Sequence, residues 1–118
     1  MRVDDEPLFR STRIGGTDYW NDSCAADELA YAIERGATGA TCNPVIVVEV
    51  LAREKARWAP RLRELAAANP TWSEADLAWA ITEELAVQGA GMLLPIHERE
   101  RGRTGWQSVQ VNPANHRN

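Results

Sequence analysis

The stretch Gly36-Ala37-Thr38-Gly39-Ala40-Thr41-Cys42-Asn43-Pro44-Val45-Ile46-Val47 (GATGATCNPVIV, residues 36–47) decides the fold. Proline fixes its own φ and pushes the residue before it out of the helical region. Asparagine is a favoured helix N-cap, and proline is favoured at the first helical position. Thr41-Cys42-Asn43-Pro44 is therefore the joint between a strand and a helix. In α/β proteins such joints lie at the carboxyl ends of strands, where ligands bind.

Upstream, SCAADELAYAIERG predicts a helix over residues 25–35. Asp27 and Glu28 suit its positive N-terminal end, and Gly36 supplies the stop. Ala26, Leu29, Ala32 and Ile33 fall at helical spacing and give it a buried stripe. Before it, TDYWND (residues 17–22) has the aromatic content of a short strand. Residues 1–16 are polar and read as an irregular N-terminal segment closing on Gly15-Gly16.

Downstream, Pro44 opens a helix whose first turns are almost wholly apolar, which calls for burial on more than one side. Pro60 is expected to break it, leaving RLRELAAAN as a second piece that Pro70 closes. Ser73 with Asp76 forms a capping box for a third helical stretch running to Gly89 and Gly91. The next segment, MLLPIHERERG, carries Pro95, which predicts a break or kink there. The final segment, residues 105–113, alternates in the manner of a strand. Gln107, Val109 and Val111 take one face, and Trp106, Ser108, Gln110 and Asn112 the other. The order strand–helix–strand–helices–strand predicts an α/β fold with a parallel sheet, one domain over residues 17–118.

Composition narrows the function. Seventeen Asp and Glu stand against 13 Lys and Arg in 118 residues, which argues against a nucleic-acid-binding tract. Cys24 and Cys42 are too few and too far apart in sequence for a disulfide framework or a zinc site, and His97 and His116 add no ligand spacing. No metal is expected. The opening residues are charged and lack the apolar core of a secretory signal, and no apolar run is long enough for a bilayer. The expectation is a cytoplasmic chain in a reducing compartment that binds no membrane.

Three parallel strands leave bare sheet edges, whereas parallel strands are normally buried within larger sheets or barrels. The chain is expected to assemble through those edges into a homo-oligomer, or to be the front portion of a longer protein.

These residues resemble the transaldolase family, (β/α)₈ barrels of the pentose phosphate pathway that transfer a three-carbon ketol unit between phosphosugars through a lysine Schiff base. The family's second-strand motif, Gly-(Val/Ala)-Thr-Thr-Asn-Pro and aliphatics, matches Gly39-Ala40-Thr41-Cys42-Asn43-Pro44-Val45-Ile46-Val47, with Cys42 and Val45 as departures. Its first-strand Trp-x-Asp matches Trp20-Asn21-Asp22. Its third-strand Ser-x-Glu-Val-Asp matches Ser108-Val109-Gln110-Val111-Asn112, with amides for both acids. The resemblance covers about residues 14–118 and implies a partial (β/α) TIM-type barrel comprising its first three strand units.

The resemblance implies a transferase of carbohydrate metabolism that needs no cofactor. Asp22 and Gln110 would hold catalytic positions at the barrel mouth, and Thr41 and Asn43 would bind the phosphosugar substrate. Glutamine can hydrogen-bond a water but cannot take its proton. The family's lysine comes from its fourth strand, and this chain's only lysine is Lys55, between Arg53 and Arg57 in a helix. Long charged side chains keep their heads in water, so Lys55 is expected to be solvated rather than nucleophilic. The 118 residues are thus expected to be inactive by themselves. The alternatives are a non-catalytic self-assembling remnant and a half-barrel that binds sugar phosphates. Apart from the resemblance, Asp22 and Asn43 read as helix-capping residues, Cys42 as a small buried filler and His97 as a surface residue.

Overall fold

A computed structural model describes residues 6–110. The elements are α1 (Pro7–Ile14), β1 (Tyr19–Asn21), α2 (Ala26–Glu34), β2 (Ala37–Cys42), α3 (Pro44–Arg53), α4 (Lys55–Ala68), α5 (Glu74–Arg99) and β3 (Trp106–Val109). The strands form one sheet in the order β1-β2-β3, parallel throughout. The architecture is α/β: a three-stranded parallel sheet with covering helices.

Helices α2 to α5 gather on one face of that sheet. Ala40 packs with Leu29 of α2 and with Leu93 and Ile96 of α5. Cys42, two residues on and so on the same face, packs with Val47 and Val50 of α3, Trp58 of α4, and Ile81 and Leu85 of α5. Small residues on β2 let the helices approach closely. Gln107, paired with Ala40, reaches into the gap that Gly89 leaves on α5.

The other face turns outward. Register pairs Trp20 with Gly39 and Trp106 with Gly39 from the opposite side, then Ser108 with Thr41. Paired residues in a sheet share a face, so Trp20, Gly39, Thr41, Trp106 and Ser108 line this side together. A bulge between Tyr19 and Trp20 lets Thr38 stand without a direct partner on β1 and sets this phase.

Several boundaries differ from the sequence reading. Residues 7–14, read as irregular, are helix α1, with Pro7 at its start. The Glu6 carboxylate receives the Arg35 Nε–H at 2.9 Å, and Thr12 meets Gly36, which holds φ at 96° where α2 ends. The break after α3 falls at Glu54 rather than Pro60; Pro60 lies inside α4 and frees the carbonyl of Ala56, and both residues are exposed. Pro95 does not end α5; it frees the carbonyl of Gly91, and both residues are exposed, so water satisfies that group. The capping box is present: Ser73 Oγ accepts from Asp76 N–H at 3.2 Å, and Asp76 accepts from Ser73 N–H at 2.9 Å. The last strand ends at Val109, short of the expected 113; Val111, Asn112 and Pro113 lie outside the described residues.

Candidate functional site

The strand ends at the carboxyl edge of the sheet bring most of the expected residues together. Asp22 follows β1 directly, exposed, on the outward face. The Thr41 hydroxyl donates to Asp22 Oδ1 at 2.6 Å, a short charge-assisted bond that ties the ends of β1 and β2. The carboxylate keeps its second oxygen free, and the threonine oxygen keeps acceptor capacity.

Asn43 serves the backbone first. Its φ of -146° and ψ of 167° are extended, and its Oδ1 accepts the Ile46 N–H at 3.0 Å, capping α3. The side-chain NH₂ is not consumed by that bond and retains two donors beside Thr41. The capping role read from the residues and the binding role implied by the resemblance therefore fall on different atoms.

Gln110 lies just beyond β3, and its backbone N–H donates to Cys42 O at 3.1 Å. That bond extends the β2–β3 ladder and leaves Gln110 exposed at the same edge of the sheet as Asp22 and Thr41. Nothing ties Gln110 to Asp22 or Thr41 directly; β2 separates the two outer strands.

Beside Asp22, a cavity of about 160 Å³ runs between the β1–α2 connection and α3. Asp22, Ser23, Glu28, Glu49 and Arg53 are its polar lining. Arg53 is already engaged, bonded to Glu28 and 3.3 Å from Asp27. Hydrogen bonds from Ser23 and Arg53 hold the Glu28 carboxyl below its usual range. This cation is thus neutralised within the chain rather than presented to an anion.

Lys55 is the first residue of α4 and exposed, in the helical layer and away from the outward face of the sheet. The site can therefore bind hydroxyls and order water. A Schiff base requires an amine that these strand ends do not carry.

Three further features shape the site; Trp20 was legible beside Asp22 in the first-strand motif, whereas the roles of Ser23 and of the two cysteines were not. Trp20 covers Gly39 and floors the outward face next to Asp22. Ser23 is buried, its hydroxyl accepting the Ala25 N–H at 3.2 Å, which shapes the entry to α2. Cys42 and Cys24 are both buried in the cluster that also holds Ala25, Val47 and Val50. Alternation along β2 could have shown that Cys42 points opposite to Thr41, but nothing local joins it to Cys24.

Among known proteins, no family model, curated sequence or solved structure matches this chain.

Proposed function

We propose that this chain supplies the first three strand ends of a transaldolase-type (β/α) barrel and takes the hydroxyl-bearing part of a phosphosugar at Asp22, Thr41 and Asn43. The supporting observation is the Thr41–Asp22 hydrogen bond, placed at the carboxyl ends of parallel strands beside an asparagine with free donors. Sites of α/β barrels are built there. Gln110 holds a water at the third strand end, where an amide can orient it without accepting its proton. Because Lys55 is solvated on a helix, the 118 residues bind the sugar without forming an imine.

Titration with fructose 6-phosphate, followed by ¹H–¹⁵N NMR, tests this reading. Shifts confined to residues 20–23, 41–43 and 108–110, lost in Asp22→Asn and Thr41→Val, support it. Absence of any shift in the folded chain overturns it. Borohydride reduction of the same mixture is expected to leave the intact mass unchanged; a sugar adduct on Lys55 would overturn the role given to that residue.

A second reading, a self-assembling module without catalysis, draws on the outward sheet face, where Trp20 is 39% and Trp106 53% exposed. Parallel sheets are normally covered on both sides. Light scattering separates the readings: mass that rises with concentration, without sugar binding, favours assembly.

A further inference from the structure

Among the described residues, β1 is paired on one side only, by β2, so the N–H and C=O groups on its other side are open. Beside that free edge lies a groove of about 480 Å³, walled by Tyr19 and Asn21 of β1 and by Asp27, Glu28, Tyr31 and Ala32 of α2. Tyr19 and Asn21 are two apart and share the face opposite to Trp20, the face that the helices cover. A strand added to β1 would send every second side chain to that face, and hence into the groove. Addition of an extended peptide to a free sheet edge is a common mode of recognition. Backbone bonds give affinity, and pockets for alternate side chains give specificity.

We propose that the β1 margin docks an extended segment of a separate protein as a fourth strand, with an apolar side chain and a lysine or arginine two residues apart in the groove. The spacing follows from the walls. Because β1 and β2 are parallel, α2 between them runs back along β1. One end of the groove is therefore acidic, with Asn21 beside Asp27 and Glu28, and the other is aromatic, with Tyr19 beside Tyr31 and Ala32. From Asp27 to Tyr31 the helix rises about 6 Å, and two residues of a strand advance about 6.7 Å. The two side chains of an added strand thus meet the two ends in turn.

Charge selects a cation for the acidic end. Helix α2 carries Asp27, Glu28 and Glu34 and no basic residue. Arg53 of α3 is shared between Glu28 and Asp27, one cation for two carboxylates. Asp27 is the more open of the two, its side chain 77% exposed. Its Oδ1 accepts the Glu28 N–H at 2.9 Å and lies 3.3 Å from Arg53, which leaves Oδ2 for a ligand. The aromatic end is preformed. The Arg35 guanidinium lies 3.5 Å from the centre of the Tyr31 ring and is itself held by Glu6 at 2.9 Å. A wall fixed in advance lowers the entropic cost of binding. The inference concerns the edge of β1, and it stands whether or not Asp22, Thr41 and Asn43 take a phosphosugar.

The test is titration of the full chain with a capped peptide of about six residues, the length of an ordinary strand, carrying a leucine and an arginine two apart among threonines. Saturable ¹H–¹⁵N NMR shifts are expected at residues 19–21 and 27–32. N-methylation of alternate peptide residues, in two complementary sets, reads the backbone pairing: one set is expected to abolish binding and the other to preserve it. Asp27→Asn, which keeps the bond to the Glu28 N–H, is expected to weaken binding about two- to fivefold, the range of one exposed ion pair. No shift in the folded chain, any N-methylation pattern other than loss with one set alone, or undiminished binding by Asp27→Asn overturns the proposal. A chain whose mass by light scattering rises with concentration, and whose β1 edge excludes the peptide, holds a second copy there and overturns it too.

Discussion

The indole of Trp20 rests on Gly39 so closely that a β-carbon at residue 39 would overlap the ring. The two residues are register partners on β1 and β2, and the ring covers backbone that any other side chain would fill. Gly39→Val is therefore expected to displace Trp20 toward solvent and to destabilise the fold by about 1–3 kcal/mol, the usual cost of overfilling a packed position. A red shift of tryptophan emission together with a lower denaturant midpoint checks this. Unchanged stability and emission would show that the ring does not need the glycine.

Asn43 caps α3 through a single side-chain bond to Ile46 N–H. Asn43→Ala is expected to cost about 1 kcal/mol, the typical value for removing an N-cap. Asn43→Asp should retain most of that stability, because its carboxylate accepts the same bond and suits the helix dipole. Comparing the two by urea unfolding separates the cap from any binding role, since only the amide keeps the donors proposed for the sugar.

Glu28 carries the clearest pH dependence. Hydrogen bonds from Ser23 and Arg53 lower its pKa in the folded chain from the ordinary 4.5. A lowered folded value means the unfolded chain binds the proton more readily, so the stabilisation is complete above the unfolded value and is lost as pH falls through the folded one. Acid titration of stability should thus steepen below about pH 4.5, and Glu28→Gln should flatten that limb. Identical acid limbs in the two proteins would exclude Glu28 as the source. Arg53→Ala should shift the limb in the same direction as Glu28→Gln, since it removes one of the donors.

Leu85 lies in α5 at the centre of the cluster that joins α3, α4 and the Cys42 end of β2. It is 1% exposed, and Leu85→Ala is expected to cost about 2–5 kcal/mol through lost transfer energy and residual cavity. Leu94, in the same helix but 50% exposed, supplies the control: Leu94→Ala should stay within about 0.5 kcal/mol. Thermal melts of both distinguish burial from helix propensity, because the exchanged residue types are the same.

The sequence was most readable where one residue dictates its own backbone. Asn43-Pro44 sets the end of β2 and the start of α3 because the restriction is steric and local, and Ser73 with Asp76 sets the start of α5 for a similar reason. Proline misled where the environment could relieve it. Pro60 and Pro95 each free only the carbonyl of an exposed residue four positions back, so neither ends its helix. Helix α1 was hidden because its polar residues gain order from Arg35 and Gly36, which are distant in sequence. In the candidate site, alternation placed Ser108 and Gln110 on a common face. The Asp22–Thr41 bond depends on strand register, which no local pattern prints.

The sheet's two margins are different strands, β1 on one side and β3 on the other. Like edges meeting across a twofold axis would run antiparallel, so an all-parallel continuation must seat the β3 edge of one unit against the β1 edge of the next. That is a head-to-tail contact, which either closes into a ring or propagates as a filament. Whole copies of this three-stranded sheet add strands in threes and never sum to the eight of a (β/α)₈ barrel. Symmetry alone therefore separates the two fates of these margins: a barrel of eight needs neighbours that are not replicas, whereas a cyclic assembly of replicas would enclose a wider or narrower circle.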